Sequence, residues 1–384
     1  LFVARADGGT RVAIDGSTRD ALPIRLERLG ATRAQLDAVQ GLIRRSGGAV
    51  LFGPPASGRP FVVADQTVAL HADVVAEARL ARALAERRDD DSGLAAPVRE
   101  QAIAHAVEAA RRRGRPLDED QRRAVELAIR GRLSIVSGGP GTGKTTIAVS
   151  VLRALVHAGF EPADLLLAAP TGKAAHRLAE SVRLQLDASD ALDRRLLEQL
   201  APPATLHRLL GFSPASGRFR HHAGNPVNAR AVLVDEASMV DLALADHLVR
   251  ALDGPTLLVL LGDAQQLPSV DAGAVLRDLV AAAPGTGRHP IVARLTKSHR
   301  MRADDPHGSH VLRFAAAVNA GRLEDLATSG AAPVVRESAA DVRFEGVERL
   351  DFARRRDLQA RWFSRLRPAA LAPLWERTWA VEGS

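Results

Sequence analysis

Gly138-Gly139-Pro140-Gly141-Thr142-Gly143-Lys144-Thr145-Thr146 fits the spacing G-x-x-x-x-G-K-[ST]. Glycines at this spacing let backbone N–H groups converge on phosphate oxygens, and a helix starting at the lysine adds its positive dipole end. Lys144 would bridge the β- and γ-phosphates of a nucleoside triphosphate, and the Thr145 hydroxyl would ligate Mg²⁺. The paired carboxylates Asp235-Glu236 suit two further jobs. Asp235 would hold the Mg²⁺ shell and Glu236 would act as general base on the attacking water. Gln266, in Gly262-Asp263-Ala264-Gln265-Gln266, can donate and accept at once and so could report the γ-phosphate. Arg300 could stabilise transition-state charge as an arginine reaching in from a second lobe. Gln121 could meet an adenine edge with its amide, or simply face solvent. Lys144, Lys173 and Lys297 are the only lysines among 52 Lys and Arg residues. Where arginine has replaced lysine so widely, the remaining lysines mark places that call for a compact ammonium.

These residues need a scaffold that gathers them. Leu133–Val136, Leu165–Ala169, Ala231–Val234 and Leu257–Leu261 are apolar runs, each ending in a polar cluster. Alternation with helical stretches, at Thr145–Ala158 and from Lys173 onward, predicts a parallel α/β sheet covered on both faces. In such sheets functional residues collect at the carboxyl ends of the strands. Residues 1–112 read as a separate, mainly helical region with helices at Val74–Leu84 and Arg99–Arg112. Arg111–Pro116 is either a linker or a charged helix end followed by a turn. Residues 113–290 would form the motor domain, with a small hairpin insertion at 212–229, and 291–384 a partial second lobe.

Composition narrows the function classes. At 384 residues, 46% apolar, the chain has enough for more than one core. It has no cysteine, which excludes disulfide, zinc-ribbon and thiol chemistry. Aromatics are only 3%, with no tyrosine, so ring stacking is not the main means of holding a partner. A net charge of +7 suits a nucleic-acid partner. No run approaches the roughly 20 uncharged apolar residues of a membrane span, and a cytoplasmic location is expected.

Taken together the segments resemble the RecD-type superfamily 1 DNA helicases, the α subunit of exodeoxyribonuclease V. The Gln121 segment is similar to the adenine-recognising Q motif, Gly138–Thr146 to motif I, and Val234–Asp241 to motif II. Gly262–Val270 resembles motif III and Leu295–Arg300 motif IV. Ala169–Ala175 is similar to motif Ia, which implies strand contacts through Pro170, Thr171 and Lys173. Ala204–Gly211 resembles another DNA-side signature that includes His207. On the residues alone, Lys173 could instead cap a helix start and His207 could be a core histidine.

The resemblance implies a RecA-like P-loop NTPase lobe and use of ATP with Mg²⁺. It implies 5′–3′ translocation on single-stranded or duplex-end DNA in double-strand-break repair and recombination. RecB-like and RecC-like subunits are the implied partners, and the Arg218–Pro226 segment looks particularly like RecD of that complex. Pif1-like and relaxase-fused helicases share the same motifs and stay open as alternatives. Motifs V and VI are not found, and the residues beyond about 340, with Trp362, Trp375 and Trp379, do not follow the family pattern. These 384 residues are therefore expected to bind nucleotide yet to unwind little or nothing, as a chain truncated before those motifs.

Overall fold

The structure is a computed structural model that describes residues 9–16, 21–44, 50–266, 272–282, 290–299, 306–319, 332–336 and 347–350. It divides into two units, Leu1–Lys297 and Ser298–Ser384.

The centre of the first unit is a six-stranded sheet. Its strands are β5 (Leu133–Gly138), β6 (Leu165–Ala169), β7 (Ala204–Thr205), β10 (Ala231–Val234), β11 (Leu257–Gly262) and β12 (Val292–Leu295). They lie in the order β12-β5-β11-β10-β6-β7, and every neighbouring pair is parallel. The apolar runs follow from burial on both faces. In β11, Leu257, Val259 and Leu261 join one core while Leu258 and Leu260 join the other. In β10, Ala231 and Leu233 divide from Val232 and Val234 in the same way, as a two-residue period requires. With few aromatic residues, both cores are filled by Leu, Val, Ile and Ala, joined in one of them by Phe160.

Before the sheet come β1 (Arg11–Ala13), α1 (Leu22–Arg28), α2 (Arg33–Arg44), β2 (Phe52–Gly53), β3 (Phe61–Ala64), β4 (Thr67–Leu70), α3 (His71–Asp89), α4 (Ala96–Arg112) and α5 (Glu119–Arg130). To its helices this region adds a four-stranded sheet, β1-β4-β3-β2, around Val12, Ile14, Ile43 and Val68. Helices α3 and α4 belong to the same unit as the large sheet. α3 packs against α10 (Leu242–Arg250) on one face, and α4 against α6 (Lys144–His157) on the other. α4 ends at Arg112, and Arg113-Gly114 turn the chain, which selects the charged helix end over the linker.

Arginines clamp α3 in two ways. Arg79 Nε donates to Asp246 Oδ1 at 2.7 Å, and its Nη2 pairs with Oδ2 of the same carboxylate. Arg87 is 6% exposed and donates to three carbonyls, Thr256 (2.7 Å), Leu252 (3.0 Å) and Asp253 (2.7 Å).

α6 is buried at every position from Ile147 to Val156. It carries Arg153, whose guanidinium meets both oxygens of Asp193 at 2.7 Å and the Gln185 carbonyl at 2.7 Å. Asp193 lies on α8 (Ala191–Gln199), and Gln185 ends α7 (Gly172–Gln185). One buried cation therefore pins three helices. After β7 come α9 (Leu206–Leu209) and a small antiparallel hairpin, β8 (Phe212–Ser213) with β9 (Arg218–Phe219). α11 (Val275–Ala282) follows β11.

In the second unit the described elements are α12 (Pro306–Asn319) and a parallel pair, β13 (Val334–Arg336) with β14 (Glu348–Leu350). Arg336 Nε pairs with Glu348 Oε1 at 2.6 Å. No helix among the described residues is long and apolar enough to cross a membrane.

Candidate functional site

The phosphate loop joins β5 to α6. Gly141 and Gly143 take φ of +78° and +86°, values that a side chain would strain. Gly138 has no room for one, since an added Cβ would lie 2.6 Å from Thr142 Oγ1 and 2.8 Å from Leu295 Cβ. Thr142 Oγ1 donates to the Gly139 carbonyl at 2.9 Å. The Lys144 ammonium folds over the loop onto the carbonyls of Gly138 (2.6 Å) and Gly139 (3.1 Å). Pro140 is exposed at the crest, while Lys144, Thr145 and Thr146 are half-buried at the helix start. Bare glycine backbone, a helix N-terminus and an ammonium fit a polyphosphate.

Asp235 and Glu236 leave β10, which shares the sheet with β5 through β11. Burial pushes the Asp235 carboxyl above the usual carboxylate range, reinforced by the Glu236 charge. The Glu236 N–H and the Lys144 ammonium pull it the other way. Its Oδ1 accepts that N–H at 2.9 Å. Glu236 has φ +53° and ψ +37°, the left-handed conformation, at the head of a 3₁₀ turn, Ala237–Met239. Its carboxylate makes no hydrogen bond or ion pair with a described residue. Among the described residues no group of three His, Cys, Asp or Glu side chains could cage a metal ion. A cation held largely by phosphate and water would need no such cage.

At the end of β11, Asp263 is 6% exposed, and its Oδ2 comes within 3.9 Å of where a Cβ on Gly139 would stand. It accepts the Gln265 N–H on Oδ1 (3.0 Å) and the Gln266 N–H on its carbonyl (3.1 Å), leaving Gln266 exposed. Arg300 lies outside the described residues.

Gln121 is placed beneath the phosphate loop. Asp118 caps α5 by accepting the Gln121 N–H at 2.9 Å, and the Gln121 side-chain oxygen accepts the Asp118 N–H at 3.1 Å, closing a capping box. Its Nε2 donates to the Thr142 carbonyl at 3.0 Å. Next to it, Asp120 accepts both the N–H (3.0 Å) and the hydroxyl (2.7 Å) of Thr296. These two bonds hold its carboxyl below the usual range.

A second group forms on the β6–β7 side. Ala169 stands opposite Thr205, so Pro170–Lys173 and Leu206–Arg208 leave neighbouring strand ends. Thr171 caps α7 by accepting the Ala174 N–H (3.2 Å), and Gly172 and Lys173 are exposed. Lys173 thus stands at the helix start without itself capping it. His207 is exposed rather than in the core, edge-on to Phe212 with centroids 5.3 Å apart, and Phe219 links this cluster to His247 at 4.4 Å.

Sequence reasoning singled out neither Asp263 nor Asp120. Asp263 stands within the quoted Gly262–Gln266 segment, where the end of an apolar strand was the available signal. The partner of Asp120 is 176 residues away and leaves no local signal.

Residues 121–272 match an AAA domain family model. The RecBCD enzyme subunit RecD of Mycolicibacterium smegmatis is 44% identical over 208 residues, 53% of this chain and 36% of that protein. The ATP-dependent RecD2 DNA helicase of Deinococcus radiodurans is 35% identical over 190 residues, 50% of this chain and 22% of that protein. A solved structure of Bacteroides sp Pif1 in complex with ADP-AlF4 aligns with a TM-score of 0.34 and 20% identity, over 59% of this chain and 55% of that one. The chain spans about a third of the length of the first of these relatives. In the half that it shares with them, the chain is similar to RecD subunits and to a RecD2 helicase.

Proposed function

We propose that this chain carries the ATP-driven motor lobe of a DNA translocase, a 5′–3′ helicase subunit of a RecBCD-type exodeoxyribonuclease V. Double-strand-break repair and recombination would be its setting, with RecB-like and RecC-like partners. The observation that carries the reading is the division of polar residues along one parallel sheet. Phosphate chemistry gathers at the ends of β5, β10 and β11, and exposed cationic and helix-start groups gather at the ends of β6 and β7.

The α6 N–H groups and Lys144 would bind the β- and γ-phosphates of ATP, with Mg²⁺ held by Thr145 and Asp235. When bound, Mg²⁺ supplies positive charge that offsets the phosphates. Glu236 takes a proton from the water as its oxygen bonds to the γ-phosphorus. The bond from that phosphorus to the β–γ bridging oxygen breaks, and its electron pair leaves with ADP. Gln266 and Arg300 would sense and stabilise the γ-phosphate. The strand's phosphates would meet the α7 start at Thr171, Gly172 and Lys173, with Pro170 and His207 beside them. Such contacts grip without reading sequence, so binding should weaken steeply with salt.

The test is ATP turnover with and without single-stranded DNA. Single strands should stimulate the wild type, and Lys144→Ala should abolish turnover while keeping the fold. DNA-stimulated hydrolysis surviving in Lys144→Ala refutes the assignment. The RecD2 relative favours a second reading, a helicase that acts without the two partner subunits. Unwinding that does not change when RecB-like and RecC-like subunits are added would select it. Binding of nucleotide and DNA with no strand separation under either condition would mark a binding fragment.

A further inference from the structure

We infer that Asp120 is a positioning residue, which fixes the end of edge strand β12 where that strand backs the phosphate loop. The inference rests on the nucleotide-binding reading above. β12 is the outermost strand on its side of the sheet, and its pairing with β5 stops at Leu295, opposite Gly138. β5 itself ends at Gly138 and the glycine loop begins, so Thr296 has no ladder to join. A backbone N–H left over at a strand end needs another acceptor. Asp120 supplies it from a helix 176 residues earlier in the chain. A single oxygen serves, since Oδ2 accepts both the Thr296 N–H at 3.0 Å and the Thr296 hydroxyl at 2.7 Å.

Both ends of this tie are seated. Asp120 stands in the first turn of α5, which Asp118 caps and whose Ala124, Val125, Leu127, Ala128 and Ile129 are buried. Thr296 follows Leu295, whose Cβ would lie 2.8 Å from a Cβ built on Gly138. Leu295 therefore leaves no slack behind the first glycine of the loop, whose carbonyl accepts the Lys144 ammonium at 2.6 Å. Held by Asp120, Leu295 is a wall for the loop. Without that bond, a four-residue edge strand would end in a loose tail there. The tie also lies at a boundary, because Lys297, the next residue, is the last of the first unit. The Thr296 hydroxyl and N–H, then the charges of Lys297 and Arg123, hold the Asp120 carboxyl below the usual carboxylate range. It stays ionised at neutral pH, and an ionised carboxylate only accepts.

The tie can be cut from either side. Asp120→Ala removes the acceptor, and Asp120→Asn keeps one neutral oxygen able to accept both bonds. Thr296→Val removes the hydroxyl bond alone. Two quantities are compared: MgATP affinity by calorimetry, well below each variant's melting temperature, and hydrogen exchange of the segment 291–299. Asp120→Ala should speed exchange there and weaken MgATP about three- to tenfold, the scale on which a residue outside a site shifts its affinity. Asp120→Asn should restore most of both. Thr296→Val should fall between, and combining it with Asp120→Ala should be no worse than Asp120→Ala alone, since both cut one tie.

Faster exchange with unchanged MgATP affinity would make the tie a strand stop only and overturns the inference. So does an Asp120→Asn variant as weak as Asp120→Ala, which would make charge rather than the two bonds the cause. Additive losses in the double variant also overturn it. A wild type that binds no MgATP sinks the nucleotide reading and this inference with it, whereas tight MgATP binding indifferent to Asp120→Ala sinks the inference alone.

Discussion

Glu236→Gly should leave the protein as stable as before or more so while ATP turnover collapses. Glu236 occupies the left-handed region at φ +53°, which costs an L-residue roughly 1–2 kcal/mol. Glycine removes that strain, but it gains unfolded-state freedom worth about 0.4–1 kcal/mol against the fold. The carboxylate makes no hydrogen bond or ion pair with a described residue, and its charge repels Asp235, so its removal forfeits nothing. The net is between about 0 and 1.5 kcal/mol of added stability, or up to a few degrees of melting temperature for a domain of this size. Loss of a general base costs roughly 10²- to 10⁴-fold in rate. Urea melts at constant m-value, paired with DNA-stimulated ATPase, read both quantities. Glu236→Gln, which keeps the strain and loses the base, should match the ATPase loss without the gain in stability. Destabilisation of Glu236→Gly by more than about 1 kcal/mol would refute the strain argument, since relief must at least balance the entropy term. Turnover within tenfold of wild type would refute the base.

Three further outcomes follow from particular contacts. Arg153→Met strands the Asp193 carboxylate, 3% exposed, with the Asp187 N–H and with Arg113 at 3.9 Å, and should cost about 3–5 kcal/mol. Pairing it with Asp193→Leu should restore much of that in urea melts; a single variant within about 1 kcal/mol of wild type would contradict the buried pair. Burial pushes the His105 imidazole, stacked on His157 at 4.5 Å, below its ordinary value, and burial does the same to His247. The unfolded chain then binds protons first, so stability should fall as pH drops below about 6.5. His105→Gln should flatten that slope in melts between neutral and mildly acid pH, and an unchanged slope speaks against it. Lys173→Ala should weaken single-strand binding alike across sequences and reduce the slope of log K against log salt by about 0.7; an unchanged slope removes Lys173 from the strand path.

The sheet strands that carry the site could be read from sequence because burial on both faces writes an uninterrupted apolar run. β5, β6, β10 and β11 all do this, and polar residues mark where each ends. β12 was missed because Arg294 interrupts its short run and the strand lies at the sheet edge. The N-terminal sheet was missed because strands of two to four residues, such as Phe52–Gly53, carry too little period to detect. Spacing marked the glycine loop between β5 and α6. The two bonds of the Gln121 amide, to the Asp118 N–H and the Thr142 carbonyl, were not legible, because one partner lies 21 residues away and is a backbone group that no residue type marks.

The two clamps on α3 differ in what can loosen them. Arg79 has a side chain 45% exposed and a carboxylate partner, so salt screens the pair. Arg87 holds three backbone carbonyls, which do not titrate and lie out of reach of screening ions. Under high salt, α3 should therefore detach from its first half onward and keep its last two turns seated. That is a directional peel, with Arg87 as the last of the two clamps on α3 to release.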